Sequence, residues 1–354
     1  MNARHQGRFV ANNNRPRREN TITEFEAAAQ RARELVSGAK NVIACSHRHP
    51  DGDTLGAMLG LYHTLTAAGK YVQPACEDTA PPQFAFLPGH ELVGPELPDR
   101  PWDLIVCHDA SDVERFGTVY GQHRDLFERV PSICIDHHVT NSGWATVNLI
   151  DSRAAATAEM VYAFVRELGY PVSAAAATCL LTGIFTDSGS FQYQAVRPAT
   201  LRAAADLVEA GADLPEIAYQ TWRKKTYASV RIWGAALNNL RLSPDGRYCW
   251  SEVTQAMLRD NAATFNELEG AVSHMAGVDG PSIVALFKEA GPNETDVSLR
   301  SMDETDCTAV ALKFGGGGHK KAAGCSIALP LAEAKPRVLA ALAELVSGAP
   351  VIVA

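Results

Sequence analysis

The chain reads as an α/β protein with a doubly wound parallel sheet in its N-terminal part, a helical connector, and a smaller C-terminal α/β domain with a mixed sheet. Three observations carry this reading. Short continuous apolar runs alternate with helical segments through the first half, the pattern of strands covered on both faces. Between residues 198 and 240 the pattern turns all-helical. Beyond it, two strand-like runs flank Gly291-Pro292-Asn293, as in a hairpin. The expected divisions are a disordered tail at 1–20, a catalytic domain at 21–197, the connector at 198–240 and a substrate-binding domain at 241–348.

Taken in order, the tail "MNARHQGRFVANNNRPRREN" is rich in arginine and asparagine and cannot build a core. A helix is expected over 24–37, with Thr23 and Glu26 as a capping box and Gly38 at its end. "NVIACSH" is the first strand. "TLGAMLGLYHTLTAAGK" is a helix ending near Gly69, its Gly56 and Gly60 spaced for close approach to a sheet. "YVQPACED", "DLIVCHDA" and "SICIDHH" are three further strands, and "TAEMVYAFVREL" and "SAAAATCLLTGIFTD" are helices. The connector contains "ATLRAAADLVEAGA" and "LPEIAYQTWRKKTYASVRIWGAALNNL", in which Arg223–Lys225 reads as a solvated face. From "SPDGRYCW" the second domain continues through the strands "SIVALFKEA" and "DVSLRSM" and a helix near 305–313. "GGGGHKKAAG", the strand "CSIAL" and a last helix near 336–346 follow.

Composition narrows the function. The 354 residues are 46% hydrophobic and 20% charged, enough for roughly two domains with their own cores. A net charge of −8 argues against a broad sequence-independent DNA binder, though it leaves room for a small basic pocket. No apolar run is long enough to span a membrane, and the N-terminus lacks the apolar core of a secretory signal. The eight cysteines form no C-x-x-C pair; Cys45, Cys107 and Cys134 sit in apolar runs, as expected in a reducing cytoplasm.

The chemistry collects at strand ends. The first strand runs into "SHRHPDGD", with His47, Asp51 and Asp53; the third delivers Asp109; the fourth delivers Asp136, His137 and His138; Asp187 follows a helix. In an open parallel sheet, ligands bind outside the carboxyl ends of the strands. Carboxylates crowded there repel unless a cation neutralises them, so a metal site is expected. Mostly oxygen donors with some imidazole, and no thiolate, suit Mn²⁺, with Mg²⁺ or Co²⁺ as substitutes. So many acids suggest two ions sharing a bridging carboxylate, an arrangement that activates water against phosphorus. Singly, "PDGD" is an ordinary turn and "GGGGH" a flexible linker; the ordered combination is what points to a site.

That combination resembles the DHH phosphoesterase superfamily with its associated C-terminal domain. The matching motifs are "HRHPDGD", the acid in "CHDASDVERFG", Asp136-His137-His138, "GIFTDSGSF", and then "VSLRS" with "GGGGHKKAAG". Length and pairing of the two domains are similar to the nanoRNase and pAp-phosphatase (bifunctional oligoribonuclease) group. The resemblance implies one metal position at His47, Asp51 and Asp109 and another at Asp53, Asp109, His137 and Asp187, with Asp109 bridging. It also implies that Asp136 orients the histidine pair and that His138 faces the substrate phosphate. His49 falls outside the ligand pattern. In the second domain, Arg300, Gly317, Gly318 and His319 match positions that grip the nucleotide, in a cleft facing the metals.

The activity implied is hydrolysis of very short RNA oligonucleotides and removal of the 3′-phosphate from pAp. The expected partner is a short single-stranded RNA or nucleotide, with no membrane and with a homodimer left open. A cyclic or linear dinucleotide phosphodiesterase is the main alternative. A RecJ-type single-strand exonuclease would be expected to add a nucleic-acid-binding module. A family II inorganic pyrophosphatase would differ in the second domain. A catalytically silent nucleotide-binding module would be expected to lose a costly buried ligand.

Overall fold

A computed structural model describes residues 22–347, so the tail expected at 1–20 lies outside the described residues. The chain divides into two compact units after Lys224.

The first unit holds α1 (Ile22–Gly38), β1 (Asn41–Ser46), α2 (Gly52–Ala67), β2 (Tyr71–Ala75), β3 (Leu104–His108), α3 (Thr118–Gln122), α4 (Arg124–Arg129) and β4 (Ser132–Asp136). It continues with β5 (Val147–Ile150), α5 (Thr157–Glu167), α6 (Ala174–Asp187), α7 (Pro198–Glu209) and α8 (Leu214–Ala218), closing on a π-helical turn over Tyr219–Arg223. All five strands are parallel, in the order β2-β1-β3-β4-β5. The direction of winding therefore reverses between β1 and β3, and that switch point is where an α/β sheet opens a crevice for a ligand.

Alternation along the strands feeds both faces, as the doubly wound reading requires. Val42, Ala44, Leu104, Val106, Ile133 and Ile135 pack under α1, α2, α5, α6 and α7. Ile43, Cys45, Ile105 and Cys107 face Phe116, Val119 and Val130 on the α3–α4 side. Cys45, Cys107 and Cys134 stand side by side in register and are fully buried.

Two details of the first unit differ from expectation. Helix α1 already includes Ile22, so Thr23 lies inside it rather than capping it. Gly56 and Gly60 approach helix α6, not the sheet. A Cβ on Gly56 would lie 2.5 Å from the Cys179 carbonyl oxygen, and one on Gly60 would meet the Leu180 side chain. Gly56 lets the helices that carry Asp51, Asp53 and Asp187 pack backbone to backbone, and Gly60 makes room for the Leu180 side chain between them.

The second unit contains α9 (Tyr227–Asn238), β6 (Arg241–Leu242), β7 (Tyr248–Val253), α10 (Gln255–Asp260), α11 (Ala271–Met275), β8 (Ile283–Gly291) and β9 (Glu294–Ser301). After these come α12 (Thr308–Lys313), β10 (Gly317–His319), β11 (Ala322–Ile327) and α13 (Leu331–Val346). Its sheet is mixed, in the order β10-β11-β9-β8-β7-β6, with only β7 and β8 parallel. The hairpin β8–β9 turns at Gly291–Glu294 as expected. One sheet face packs against α12 and α13 through Phe287, Val297, Leu299 and Val338. The other packs against α9, α10 and α11 through Val253, Val284 and Leu286.

Three helix or loop limits shift here. Helix α12 starts at Thr308, because Asp306 accepts hydrogen bonds from the Thr308 N–H and hydroxyl (2.9 and 2.6 Å) and holds 303–307 outside the helix. Helix α13 starts at Leu331, with Pro330 preceding it and Pro336 inside it. The glycine run is not a free loop: β10 pairs antiparallel with β11 through Gly317↔Gly324, Gly318↔Ala323 and His319↔Ala322.

Candidate metal centre

The carboxyl ends of β1, β3 and β4 converge with the start of α2 and the end of α6, bringing the six expected metal-ligating residues of this unit into one cluster. His47 follows β1 and is buried. Its Nδ1 bonds the Arg48 carbonyl at 2.7 Å, and its Nε2 lies 3.5 Å from Asp109 Oδ2. Asp51 caps α2, accepting from the Thr54 N–H at 3.0 Å. Asp53, in the first turn of α2, is held at the N-terminus of α5: its carboxylate accepts from the N–H groups of Thr157 (2.6 Å) and Ala158 (2.8 Å). A helix N-terminus is where a buried negative charge is best tolerated.

Asp109 directly follows β3 in a left-handed conformation (φ +58°), which short polar residues such as aspartate accept better than most non-glycine residues. Its two oxygens are fixed separately. Oδ2 accepts from Thr54 Oγ1 at 2.8 Å and Oδ1 from Thr157 Oγ1 at 2.9 Å. His137 Nε2 stands 3.6 Å from Asp109, 3.4 Å from Asp187 and 4.0 Å from Asp53. Its Nδ1 contacts the Ala154 carbonyl at 3.2 Å. Three triplets keep their ligand atoms within 4.8 Å of one another: His47, Asp51, Asp109; Asp53, His137, Asp187; and Asp109, His137, His138.

Asp136 is fully buried and works on His138 alone of the two histidines. Its Oδ1 accepts from the His138 backbone N–H (3.1 Å) and contacts Nδ1 (2.7 Å), while Oδ2 accepts from Asn141 Nδ2 (2.6 Å). The orienting of the pair is thus shared between the Asp136 carboxylate and the Ala154 carbonyl. His49 stays outside the cluster, 85% exposed at its side chain and 3.4 Å from Asp78.

The charges are in tension. Burial, and then the neighbouring charges of Asp109, Asp187 and Asp51, push the Asp53 carboxyl well up. Burial likewise raises Asp187 to about 6, assisted by Asp109 and Asp51. For Asp109, burial pushes up but His47, His138 and His137 more than reverse it and hold the carboxyl low. At His138, burial opposes the charge, yet the bond to Asp136 and the charge of Asp109 lift the ring to about 9.

The residues fit a cation by the orientation of their donor atoms. With Nδ1 of His47 and His137 placed on backbone carbonyls, their Nε2 atoms face carboxylate oxygens, and a positive charge between nitrogen and oxygen, a proton or a metal ion, is what this arrangement accommodates. Oxygen and imidazole donors without thiolate define a site that could hold metal. Thr54 and Thr157, which fix the central carboxylate, had no sequence expectation. Thr54 directly follows "PDGD" and could have been noticed; Thr157 sits in "AAATAEM" without any signal.

The expected nucleotide grip belongs to the second unit. Arg300 on β9 pairs with Ala322 on β11, which pairs with His319 on β10, so Arg300 and His319 share one row of the sheet. Arg300 Nη1 donates to the Leu299 carbonyl at 2.9 Å. Gly318 is required by its own fold: at φ +139° a Cβ would lie 2.5 Å from the Ala322 carbonyl oxygen. Around Gly317 a Cβ would meet nothing within 4 Å, so that backbone is open to approach. The side chain of His319 lies outside the described residues.

Residues 41–184 match the DHH family, N-terminal domain, and residues 246–348 match the DHHA1 domain. The chain is 33% identical over 307 residues to the bifunctional oligoribonuclease and PAP phosphatase NrnA of Thermus thermophilus, covering 86% of this chain and 89% of that protein. It is 27% identical over 294 residues to the protein of the same name from Mycoplasma genitalium, covering 81% and 88%. An exopolyphosphatase-related protein from Bacteroides fragilis has a similar fold, with a TM-score of 0.81 at 24% identity, covering 89% of this chain and 95% of that one. With both domain matches in order and this identity over most of its length, the chain belongs to the DHH family of phosphoesterases, with a DHHA1 domain behind its catalytic unit.

Proposed function

We propose that the protein hydrolyses very short RNA oligonucleotides to mononucleotides and removes the 3′-phosphate of pAp, using two divalent ions, Mn²⁺ by preference. The observation that carries this reading is the convergence of four carboxylates and two carbonyl-oriented imidazoles at the sheet's switch point. It occurs in a chain 33% identical to a bifunctional oligoribonuclease and PAP phosphatase.

His47, Asp51 and Asp109 would hold one ion, and Asp53, Asp109, His137 and Asp187 the other. Bound there, the ions would supply Lewis acidity toward a phosphoryl oxygen and a nucleophilic water at neutral pH. The chain's own groups do the remaining work. Thr54 and Thr157 fix the Asp109 oxygens, so that both keep their direction. Asp136 takes Nδ1 of His138, leaving Nε2 as the ring atom presented to the phosphate, where it stabilises charge or protonates the leaving oxygen. Arg300, the backbone at Gly317 and Gly318, and His319 grip the nucleotide. The eight free, buried cysteines suit a reducing cytoplasm. Among the described residues, no helix is long and apolar enough to cross a membrane.

The test is purified protein with Mn²⁺, offered pAp, a diribonucleotide, a cyclic dinucleotide and a long single strand in parallel. The expected result is that the first two are turned over fastest. Preference for the cyclic dinucleotide, or equal activity on the long strand, would overturn the reading.

A further inference from the structure

His137, Asp53 and Asp109 share one neighbour, the segment 154–158 at the entry to α5. The Ala154 carbonyl faces His137 Nδ1 at 3.2 Å, the Thr157 and Ala158 N–H groups donate to Asp53 (2.6 and 2.8 Å), and the Thr157 hydroxyl donates to Asp109 Oδ1 (2.9 Å). A short run of buried residues thus orients three groups of the centre. All of it is alanine except Thr157, whose hydroxyl is committed to Asp109, and Ala156 at the N-cap of α5 offers no capping side chain. The segment cannot fix its own course, so a group outside it must.

Glu159 is that group. It is buried in the first turn of α5, and its Oε2 reaches back to accept the Ala155 N–H at 3.0 Å. The same oxygen accepts from Thr200 Oγ1 at 2.9 Å, and Oε1 faces Arg197 Nη2 at 3.6 Å. Both partners stand at the start of α7, where Thr200 Oγ1 also accepts the Arg197 N–H at 3.2 Å. The carboxylate therefore ties the segment to a helix 41 residues further along the chain. Without it the buried Ala155 N–H loses this acceptor, a state the backbone escapes by moving. The two halves of the centre would feel that movement unequally. Asp109 Oδ1, fixed by Thr157, faces His137, whereas Oδ2 is fixed independently by Thr54 and faces His47.

We propose that Glu159, held by Thr200 and Arg197, positions the Asp53, His137 and Asp187 half of the centre by fixing the entry to α5, and is not itself a ligand. This rests on the proposed two-ion activity and adds that the two ion positions are supported by different parts of the chain. The half built on His47 and Asp51 depends on Thr54 and the loop after β1. The other half depends on α5 and α7. Loss of Glu159 loosens one half and spares the other, whereas a residue needed only for folding would show no such preference.

The test is calorimetric Mn²⁺ titration of the metal-free wild type, Glu159→Ala, Glu159→Gln and Thr200→Val, with thermal unfolding of each. Val36→Ala, in the buried face of α1, serves as a control for lost packing alone. Groups that orient a ligand from behind contribute about 10–100-fold in metal affinity, so in Glu159→Ala one of the two binding events should weaken by that factor and the other by less than about threefold. Thr200→Val should show the same asymmetry to a smaller degree. Glu159→Gln keeps an oxygen that can accept the Ala155 N–H and should lie between wild type and Glu159→Ala. Val36→Ala should lower Tm and leave both events unchanged. Equal weakening of the two events in Glu159→Ala, or weakening of neither, would overturn the proposal. Where Glu159→Ala does not fold, Glu159→Gln and Thr200→Val are judged by the same criterion. A wild type that binds fewer than two Mn²⁺ ions defeats the two-ion reading itself and this proposal with it, so the two failures are distinguishable.

Discussion

Gly56→Ala is the sharpest test of how the fold holds the centre. In the native packing the new Cβ would lie 2.5 Å from the Cys179 carbonyl oxygen, 2.7 Å from Gly183 N and 2.9 Å from Gly183 Cα. Ordinary contact begins near 3.4 Å, so α2 and α6 must part by about 0.9 Å. All three clashing atoms are backbone and cannot rotate away. Overpacking costs about 1–3 kcal/mol, and against unyielding backbone the upper part of that range applies, about 2–3 kcal/mol; the better helix propensity of alanine offsets about 1 kcal/mol of it. A net loss of about 1–2 kcal/mol lowers Tm by roughly 2–8 °C for a unit of this size. Because α2 carries Asp51 and Asp53 and α6 ends on Asp187, Mn²⁺ affinity should fall together with stability. Two controls grade the argument. Gly60→Ala meets only the flexible Leu180 side chain and should lose less, whereas Gly121→Ala meets nothing within 4 Å and should be neutral or slightly stabilising. Differential scanning calorimetry and calorimetric Mn²⁺ titration of the three variants read this out. A Gly56→Ala protein with wild-type Tm and wild-type affinity would refute the close-packing account.

Asp109→Ala should abolish hydrolysis, and metal titration should show fewer than two ions bound; two ions at wild-type affinity would remove the bridging role. His138→Ala should slow turnover by about 10²–10⁴-fold with metal content unchanged, whereas loss of an ion would make His138 a ligand. Thr157→Val removes a buried donor to Asp109 and should weaken metal binding by about 10–100-fold, measurable by titration even if the protein stays folded. Catalytic efficiency on single-stranded RNA at one salt concentration should fall steeply with length, because each added phosphate meets an acidic protein with only 7% aromatic residues for stacking; equal or rising efficiency would favour an exonuclease acting on long strands.

Much of this architecture could be read from residues alone, and the places where it could not share physical causes. Strands β1, β3 and β4 are continuous apolar runs ending in acids or histidine, so both their identity and their chemistry were legible. Strand β5 was not, because "VNLI" is only four residues long with an asparagine inside. Gly56 and Gly60 announced close approach, but glycine spacing does not say whether a helix or a sheet is the neighbour. "GGGGH" looked like loop because glycine has little strand preference; pairing with β11 decides the matter, a tertiary effect invisible locally. For the centre itself, spaced motifs marked the charged groups. The hydroxyls that hold Asp109 were hidden, since threonine is common and Thr157 lies 48 residues further along the chain.

The carboxylate of Asp53 occupies the N-terminus of α5, and the same residue contributes to a cluster drawn from chain positions as far apart as His47 and Asp187. Assembly order follows from this. No contiguous fragment that stops before α6 can present the whole cluster, so full-affinity ion uptake must come late in folding, after the most sequence-distant contacts have formed. Until then the gathered acids repel one another, and the ion that ends the repulsion binds only the finished unit. At a free concentration one hundred times its dissociation constant, such an ion adds about 2.7 kcal/mol to the folded state. Cellular supply of the ion would then set how long the enzyme survives proteolysis as well as how fast it turns over.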